Sequence, residues 1–278
     1  MKIPYSIEQI KQVCIDAGHV PGANKSPCVP DYSEGAQMWA LQNMLAGALE
    51  ELFENVDVFF TRERPDEILT PGGNDVFQRG KRAKGADLFV SLHSNASNNV
   101  KCDGINFVTV FYPYDGRNNS AAAADTLADA AETAMYSHVK KLSHYQTLTR
   151  QGSYGDYYGV MRGAASVGVP LYFIIEHGFH TNADNAAALL DSATLADIAA
   201  AEALAIGEIL GLHKREYKPG DVNGDGHIDA RDYAMLKRYL LGTYELTAAE
   251  LARADANGDG VVNAADYATI KRKVLGTL

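Results

Sequence analysis

The stretch DLFVSLHSNAS, Asp87–Ser97, gives the clearest fold signal in this chain. Its mostly apolar segment Leu88–Leu92 predicts a buried strand, and His93 stands directly after that strand. Many α/β proteins place their functional groups at the carboxyl ends of such strands. A lone histidine there is more often a hydrogen-bonded structural residue than a ligand, so its role has to be judged from the rest of the chain.

Strands and helices alternate along the first 213 residues. Apolar or β-branched runs predict further strands at 12–19, 56–62, 104–112 and 171–175. Helices are predicted from Glu34, from Ser120 as a cap to about Leu142, and over Ala193–Leu212. The alternation predicts an α/β domain in which helices flank a mixed, mainly parallel sheet.

The bulk composition is that of an ordinary soluble globular protein. Of 278 residues, 46% are hydrophobic and 22% are charged. The net charge of −10 argues against a nucleic-acid partner, because phosphate backbones bind basic surfaces. No apolar run reaches the roughly 18 residues of a membrane helix. The N-terminus MKIPYSIEQI has no apolar stretch with a cleavage site, so this sequence predicts no signal peptide.

An internal duplication fills the C-terminal region. Residues 221–242 and 255–276 align without gaps and agree at 13 of 22 positions. Each copy has oxygen-bearing side chains at loop positions 1, 3, 5, 9 and 12 and a glycine at position 6, a spacing that predicts a calcium loop. The side chains are Asp221, Asn223, Asp225, Asp229 and Asp232, then Asp255, Asn257, Asp259, Asn263 and Asp266, with the carbonyls of His227 and Val261 at position 7. The alternative is a pair of ordinary Asp/Asn/Gly turns, which two copies in register argue against.

Two departures from an ordinary EF-hand identify the duplicated module. Position 12 is Asp instead of Glu, and KPG precedes the first loop, so no helix enters it. The duplicated region 221–278 therefore resembles a small all-α type I dockerin with two EF-hand-like loops, which implies a cohesin partner on a scaffolding protein. By that resemblance the partner-facing residues are Ala230, Arg231, Lys237 and Arg238, then Ala264, Ala265, Lys271 and Arg272. For the basic pairs the alternative is a solvated helix face.

Four residues at predicted strand or loop ends are candidates for a catalytic metal site. A catalytic zinc needs three protein ligands drawn from imidazole and carboxylate, with a base nearby. His19, Glu34 and His93 are the candidate ligands and Glu176 is the candidate base. Their spacing along the sequence does not by itself specify a metal site.

Five motifs in order resemble the zinc-dependent N-acetylmuramoyl-L-alanine amidases over about residues 12–212. They are IDAGH, SEGAQMWALQNMLAGAL, FFTRERPDE, FQRGKRAKGADLFVSLHSNAS and FIIEHGFHTNADNAAALL. The resemblance implies one zinc held by His19, Glu34 and His93, with Glu176 as the catalytic glutamate. It also implies hydrolysis of the amide between N-acetylmuramic acid and L-alanine in peptidoglycan.

Two positions depart from the family pattern. Val20-Pro21 follows the first histidine where Gly-Gly is common, and Gly35 follows the glutamate where Lys is usual. Neither change removes a ligand, but both alter the rim of the site. Two alternatives stay open: an inactive wall-binding module, and a zinc peptidase that acts on another amide.

These resemblances predict a three-part organisation. We expect a catalytic domain at 1–213, a linker at 214–220 and the dockerin at 221–278 with two calcium ions. The expected location is outside the cell, in a cellulosome-like complex, with any export signal removed from this sequence. Cys28 and Cys102 could pair there, whereas Cys14 belongs to the core.

Overall fold

The computed structural model describes residues 10–70, 73–97, 104–140, 142–215 and 218–277. The chain divides into two compact units, one up to Lys214 and the other from Arg215. The first unit contains the sheet, and the second contains the duplicated loops. Cys102 lies outside the described residues, so its pairing with Cys28 stays a prediction.

The first unit alternates strands and helices through most of its length. Its strands are β1 Lys11–Ala17, β2 Val56–Phe60, β3 Leu88–Asn95, β4 Thr109–Phe111, β5 Gln146–Leu148, β6 Gln151–Gly152, β7 Gly155–Asp156 and β8 Leu171–Phe179. Its helices are α1 Glu34–Leu52, α2 Asp75–Arg82, α3 Ser120–His138, α4 Gly159–Ser166, α5 Ala183–Leu190 and α6 Ser192–Leu210.

A six-stranded sheet organises this unit in the order β2-β1-β3-β8-β4-β5. β4 runs antiparallel to β8, and the other neighbouring pairs are parallel. The prediction of a mixed, mainly parallel sheet is therefore confirmed. β3 and β8 lie side by side at the centre, with His93 opposite Glu176 in register.

Helices cover both faces of the sheet, so the central strands are apolar on both sides. Leu88, Val90 and Leu92 of β3 point into a core that includes residues of α1, α3 and α6. Phe89, between them, points into the opposite core with residues of α4. Successive side chains of a strand face opposite sides, which explains why β3 is apolar on both faces except at Ser91, whose buried hydroxyl donates to Asp16.

Several predicted element bounds are wrong in detail. His93 and Glu176 lie inside β3 and β8 instead of beyond them, because the pairing of these two strands continues past the apolar run. Ser120 is the first residue of α3, and Asn119 occupies the cap position. The predicted closing helix starts one residue earlier, at Ser192, and a separate helix, α5, precedes it.

The second unit is all-helical in its described residues. Its helices are α7 Ala230–Leu240, α8 Ala248–Ala254 and α9 Ala264–Val274, around a small core that includes Val222, Leu236 and Ile270. This confirms the predicted all-α module with duplicated loops. Within the described parts of both units, no helix combines the length and apolar character needed to cross a membrane.

Candidate active site

The three candidate ligands meet at the carboxyl edge of the sheet. His19 follows β1, Glu34 opens α1 and His93 lies near the end of β3, which is parallel to β1. One ligand atom from each residue lies within 4.8 Å of those of the other two. Across the described residues, this is the one group of three or more His, Cys, Asp or Glu side chains gathered so closely. Two imidazoles and a carboxylate are donors that suit zinc.

Glu34 is the buried centre of this cluster. Its Oε1 lies 2.9 Å from Nδ1 of His93, and its Oε2 lies 3.6 Å from Nε2 of His19. The side-chain amide of Asn24 donates to Oε2 at 2.6 Å. Burial alone would raise the pKa of Glu34, but the hydrogen bond and charge of His93, the charge of His19 and Asn24 lower it to about 2. Glu34 is therefore an anion, the form that binds a metal.

The backbone around His19 is shaped to bring the two imidazoles together. His19 has a φ of 58°, a left-handed conformation that is uncommon for residues other than glycine. Arg62 donates to the carbonyl of His19 at 2.7 Å and holds this turn. A Cβ on Gly18 would stand 2.4 Å from the His93 ring, so only glycine leaves room for that imidazole.

Glu176 faces the same space from β8. It lines a cavity of about 520 Å³ with His19, His93 and Tyr158, which we call the metal-site cavity. Its Oε2 is buried and has no hydrogen-bond partner among the described residues. Burial raises the pKa of Glu176 to about 7, although the nearby His93 opposes the shift. A carboxyl group with a pKa near neutrality can both accept and donate a proton.

Sequence reasoning missed two arginines that support the site. Arg62 and Arg79 are both buried, and both donate to the carbonyl of Ala17 at the end of β1. Arg79 also lines the metal-site cavity, with its Nε 3.7 Å from Oδ1 of the buried Asp16. Arg62 lies in FFTRERPDE and Arg79 in FQRGKRAKGADLFVSLHSNAS, and basic residues in such segments predict a solvated face, so their burial was not predictable from these motifs.

His177 and His180 lie beside the cluster and belong to other networks. His177 is fully buried, with Nδ1 at 2.9 Å from the His93 carbonyl and Nε2 at 2.7 Å from Oε1 of Glu202 on α6. His180 places Nδ1 at 3.1 Å from the hydroxyl of Ser94. Both imidazoles therefore contact the end of β3, and neither lines the metal-site cavity.

The two positions that depart from the family pattern touch each other. A Cβ on Gly35 would stand 2.0 Å from the carbonyl oxygen of Val20. The chain after His19 thus runs directly over the first turn of α1. A larger residue at position 35 would require the Val20-Pro21 segment to move.

The two loops of the second unit repeat the same hydrogen bonds. The first-position carboxylates, Asp221 and Asp255, each accept a backbone N–H at 2.8 Å from the position-6 glycine, Gly226 or Gly260. Both glycines have positive φ, of 85° and 83°, as the sharp turn requires. The carboxylates at position 12, Asp232 and Asp266, close the loops by accepting from the backbone at position 9 at 2.8 Å.

The remaining predicted ligands lie along the same turns. The Asn223 and Asn257 amides donate to Asp225 and Asp259, while Asp229 and Asn263 cap helices α7 and α9. His227 and Val261 donate their backbone N–H groups to Asp225 and Asp259. In the described residues, the loop carboxylates do not gather as closely as the candidate ligands of the first unit. All eight predicted partner-facing residues are exposed, including Ala230, Ala264 and Ala265.

An α/β sheet that gathers two imidazoles and a carboxylate, with a second carboxylate in the cavity that both imidazoles line, is typical of metal-dependent hydrolases. The sequence profile of the N-acetylmuramoyl-L-alanine amidase family matches residues 13–208, and that of the dockerin type I domain matches residues 219–275. The chain therefore belongs to the N-acetylmuramoyl-L-alanine amidase family and carries a dockerin type I domain. Both predicted resemblances are confirmed.

Solved structures of amidases share the fold of the first unit. The catalytic domain of CwlV from Bacillus (Paenibacillus) polymyxa var. colistinus is 22% identical with a TM-score of 0.57, over 73% of this chain and 99% of that chain. An N-acetylmuramoyl-L-alanine amidase from Clostridium difficile 630 is 19% identical with a TM-score of 0.54, over 73% and 98%. CwlD from Clostridioides difficile, solved with the GerS lipoprotein, is 22% identical with a TM-score of 0.55, over 72% and 98%. A search among curated proteins finds no match.

Proposed function

We propose that this chain is a zinc-dependent amidase of peptidoglycan that hydrolyses the bond between N-acetylmuramic acid and L-alanine. The observation that carries the proposal is the gathering of His19, Glu34 and His93 within 4.8 Å at a cavity that Glu176 also lines. Membership of the amidase family supplies the reaction.

The donor set fits zinc. It offers two imidazoles and one carboxylate, and three protein ligands leave a coordination position open for catalysis. Zinc at these residues would supply Lewis acidity for the amide carbonyl and for the attacking water. The unpartnered Oε2 of Glu176 adds a buried acceptor beside them, which fits a group awaiting a proton.

Glu176 carries the proton through the reaction. Its carboxylate accepts a proton from water as the oxygen attacks the amide carbon, and the C–N bond breaks. The same carboxyl group then gives that proton to the departing nitrogen of L-alanine. A positive charge bound nearby would lower the pKa of Glu176 from about 7, so that the carboxyl is ionised and ready to act as a base at neutral pH.

Two substitutions and a product analysis test the assignment. Glu176→Gln should retain zinc by elemental analysis while losing about 10²–10⁴-fold in kcat on an N-acetylmuramoyl-peptide. His19→Ala should lose zinc, and full zinc occupancy in that variant would contradict its role as a ligand. Mass spectrometry should find new L-alanine amino termini and intact glycan chains. Cleavage elsewhere in the peptide would favour the zinc peptidase, and wall binding without any cleavage would favour an inactive module.

The dockerin type I domain defines the proposed setting of the enzyme. We propose that its two loops each hold one calcium ion and that its exposed helix residues bind a cohesin on a scaffolding protein outside the cell. The linker at 214–220, between a catalytic domain at 1–213 and the dockerin at 221–278, agrees with the change of compact unit after Lys214. Calorimetric titration of the full chain with calcium and then with a cohesin tests both steps.

A further inference from the structure

A second cleft opens on the first unit, away from the predicted ligands. It has a volume of about 690 Å³ and is lined by Tyr114, Tyr154, Tyr172, Asp156, Arg117 and Arg162, among others. We call it the tyrosine cleft. Tyr154 stands at the turn between β6 and β7 and is 89% exposed, the largest exposure among the large apolar and aromatic residues described. Exposed aromatic rings beside a formed cleft are typical of ligand sites.

Buried polar groups hold the tyrosine cleft in shape. The carboxylate of Asp156, 2% exposed, accepts from the backbone N–H of Tyr114 at 2.8 Å and from the Tyr172 hydroxyl at 3.1 Å. Arg162 donates to the carbonyls of Asp156 and Tyr157 at 2.8 and 2.6 Å, which ties the β6–β7 hairpin to α4. The ring of Tyr154 is therefore presented from a braced hairpin.

Helices α2 and α4 contribute residues to both the tyrosine cleft and the metal-site cavity. Val76 of α2 and Gly159 of α4 line the metal-site cavity, whereas Phe77 and Arg162 of the same two helices line the tyrosine cleft. Tyr158 of the metal-site cavity also contacts the half-exposed ring of Tyr157 edge-on, at 5.3 Å between centroids. A polymer whose scissile bond lies in the cavity would reach the tyrosine cleft along these residues.

The chemistry of the cleft favours a sugar over an anionic peptide. Each nearby guanidinium is already engaged: Arg117 with the carboxylate of Asp115, Arg162 with two carbonyls, and Arg150 stacked 3.6 Å from the centroid of Tyr157. A peptide carboxylate would have to displace these partners. A pyranose ring needs only a flat aromatic face for its C–H groups and polar edges for its hydroxyl and acetamido groups, and the cleft offers both.

We propose that the tyrosine cleft binds the glycan strand of the substrate, with a sugar ring packed on Tyr154. This inference rests on the proposed function, since it assumes that peptidoglycan occupies the neighbouring cavity. It assigns the two parts of the polymer to different places, the cleaved amide to the metal-site cavity and the glycan to the tyrosine cleft.

Kinetics on two substrates test the assignment. Soluble peptidoglycan strands of several disaccharides carry the glycan, whereas an N-acetylmuramoyl-peptide carries only the sugar next to the scissile amide. Tyr154→Ala should raise KM for the strands about five- to tenfold relative to KM for the short substrate, with kcat unchanged. Tyr154→Trp keeps an aromatic face and should retain most of the strand preference. Tyr136→Ala, at an exposed tyrosine on α3, is the matched control and should alter neither KM.

Each other outcome overturns the assignment. An equal rise of KM on both substrates would place the stem peptide on Tyr154, and no rise on either would mean an ordinary exposed tyrosine. Failure of the proposed function is distinguishable, because the unaltered chain would then cleave neither substrate. Peptide-free glycan strands can also be titrated into the full chain carrying Glu176→Gln. This calorimetric experiment measures binding of the glycan to the tyrosine cleft without hydrolysis. Loss of that binding in Glu176→Gln/Tyr154→Ala is expected, and undiminished binding would refute the proposal.

Discussion

Removing Glu202 should destabilise the first unit more than any ordinary surface change. Glu202 and His177 are both fully buried, and a 2.7 Å contact joins Oε1 of the carboxylate to Nε2 of the imidazole. The Nδ1–H of His177 donates to the carbonyl of His93, so one proton has to lie between Nε2 and the carboxylate. Burial alone would lower the pKa of His177, but Glu202 and the His93 carbonyl raise it above its usual value.

The size of the expected destabilisation follows from the burial of both Glu202 and His177. Glu202→Leu leaves a fully buried imidazole nitrogen without its partner, and breaking a buried pair from one side costs about 3–5 kcal/mol in the free energy of unfolding. Glu202→Gln can still donate to a neutral His177, so its loss should be about 1 kcal/mol. The double variant His177→Leu/Glu202→Leu removes both polar groups and should be more stable than Glu202→Leu alone.

Urea unfolding, followed by tryptophan fluorescence, measures the free energy of unfolding of each variant in the full chain. Trp39 is the one tryptophan of the sequence and lies on α1, so its emission reports on the first unit alone. The charged His177 stabilises the fold below its unfolded pKa of about 6.5. That contribution is lost as the pH rises through the raised pKa of His177 in the folded state. The stabilities of the variants should therefore be compared at pH 6. Glu208→Leu, exposed on the same helix, should stay within about 0.5 kcal/mol. If Glu202→Leu matched that control, or if the double variant lost the full 3–5 kcal/mol or more, the reasoning would be refuted.

Three further predictions concern the proposed metal sites. Gly18→Ala should reduce zinc content and activity, because the new Cβ would overlap the His93 ring. The control Gly47→Ala on α1 has open space and should leave zinc content unchanged. Equal zinc content in the two variants would contradict the prediction. Gly35→Lys should lower kcat/KM by displacing the Val20 carbonyl while zinc is retained, and unchanged kinetics would show that the rim is not involved. Calcium chelation with EGTA should reduce the helical circular dichroism of the second unit without changing Trp39 emission, and an unchanged spectrum would mean that its helices need no calcium.

The order of the elements was predictable because their signals are local. β3 has a mostly apolar run, and the pattern of α1 repeats at helical spacing, so both were placed from short windows of sequence. The ends of β3 and β8 were not predictable in this way. They extend through His93 and Glu176 because each strand finds its hydrogen-bond partner in the other, a pairing between residues 83 positions apart.

In the candidate site too, residues in short motifs were predictable from the sequence, and residues placed by tertiary packing were not. His19, Glu34, His93 and Glu176 were found through motifs, because each stands in a recognisable short pattern. Asn24, which hydrogen-bonds Glu34 at 2.6 Å, was missed because an asparagine in a loop rich in Pro, Gly and Ser predicts only a turn. Glu202 was missed because a glutamate in an alanine-rich helix predicts a solvated face, and only the packing of α6 against α1 and α3, next to His177 of β8, buries it.

The two departures from the family pattern are best explained as one change. Considered separately, Val20-Pro21 and Gly35 are unrelated substitutions on either side of a long loop. In the structure, the carbonyl of Val20 occupies the space that a side chain at position 35 would take, 2.0 Å from an ideal Cβ. A lysine at 35 and the present path of Val20 therefore exclude each other, and glycine at 35 is what permits that path. Since Val20 also lines the metal-site cavity, this paired change alters the wall that a substrate meets while leaving His19 and Glu34 in place.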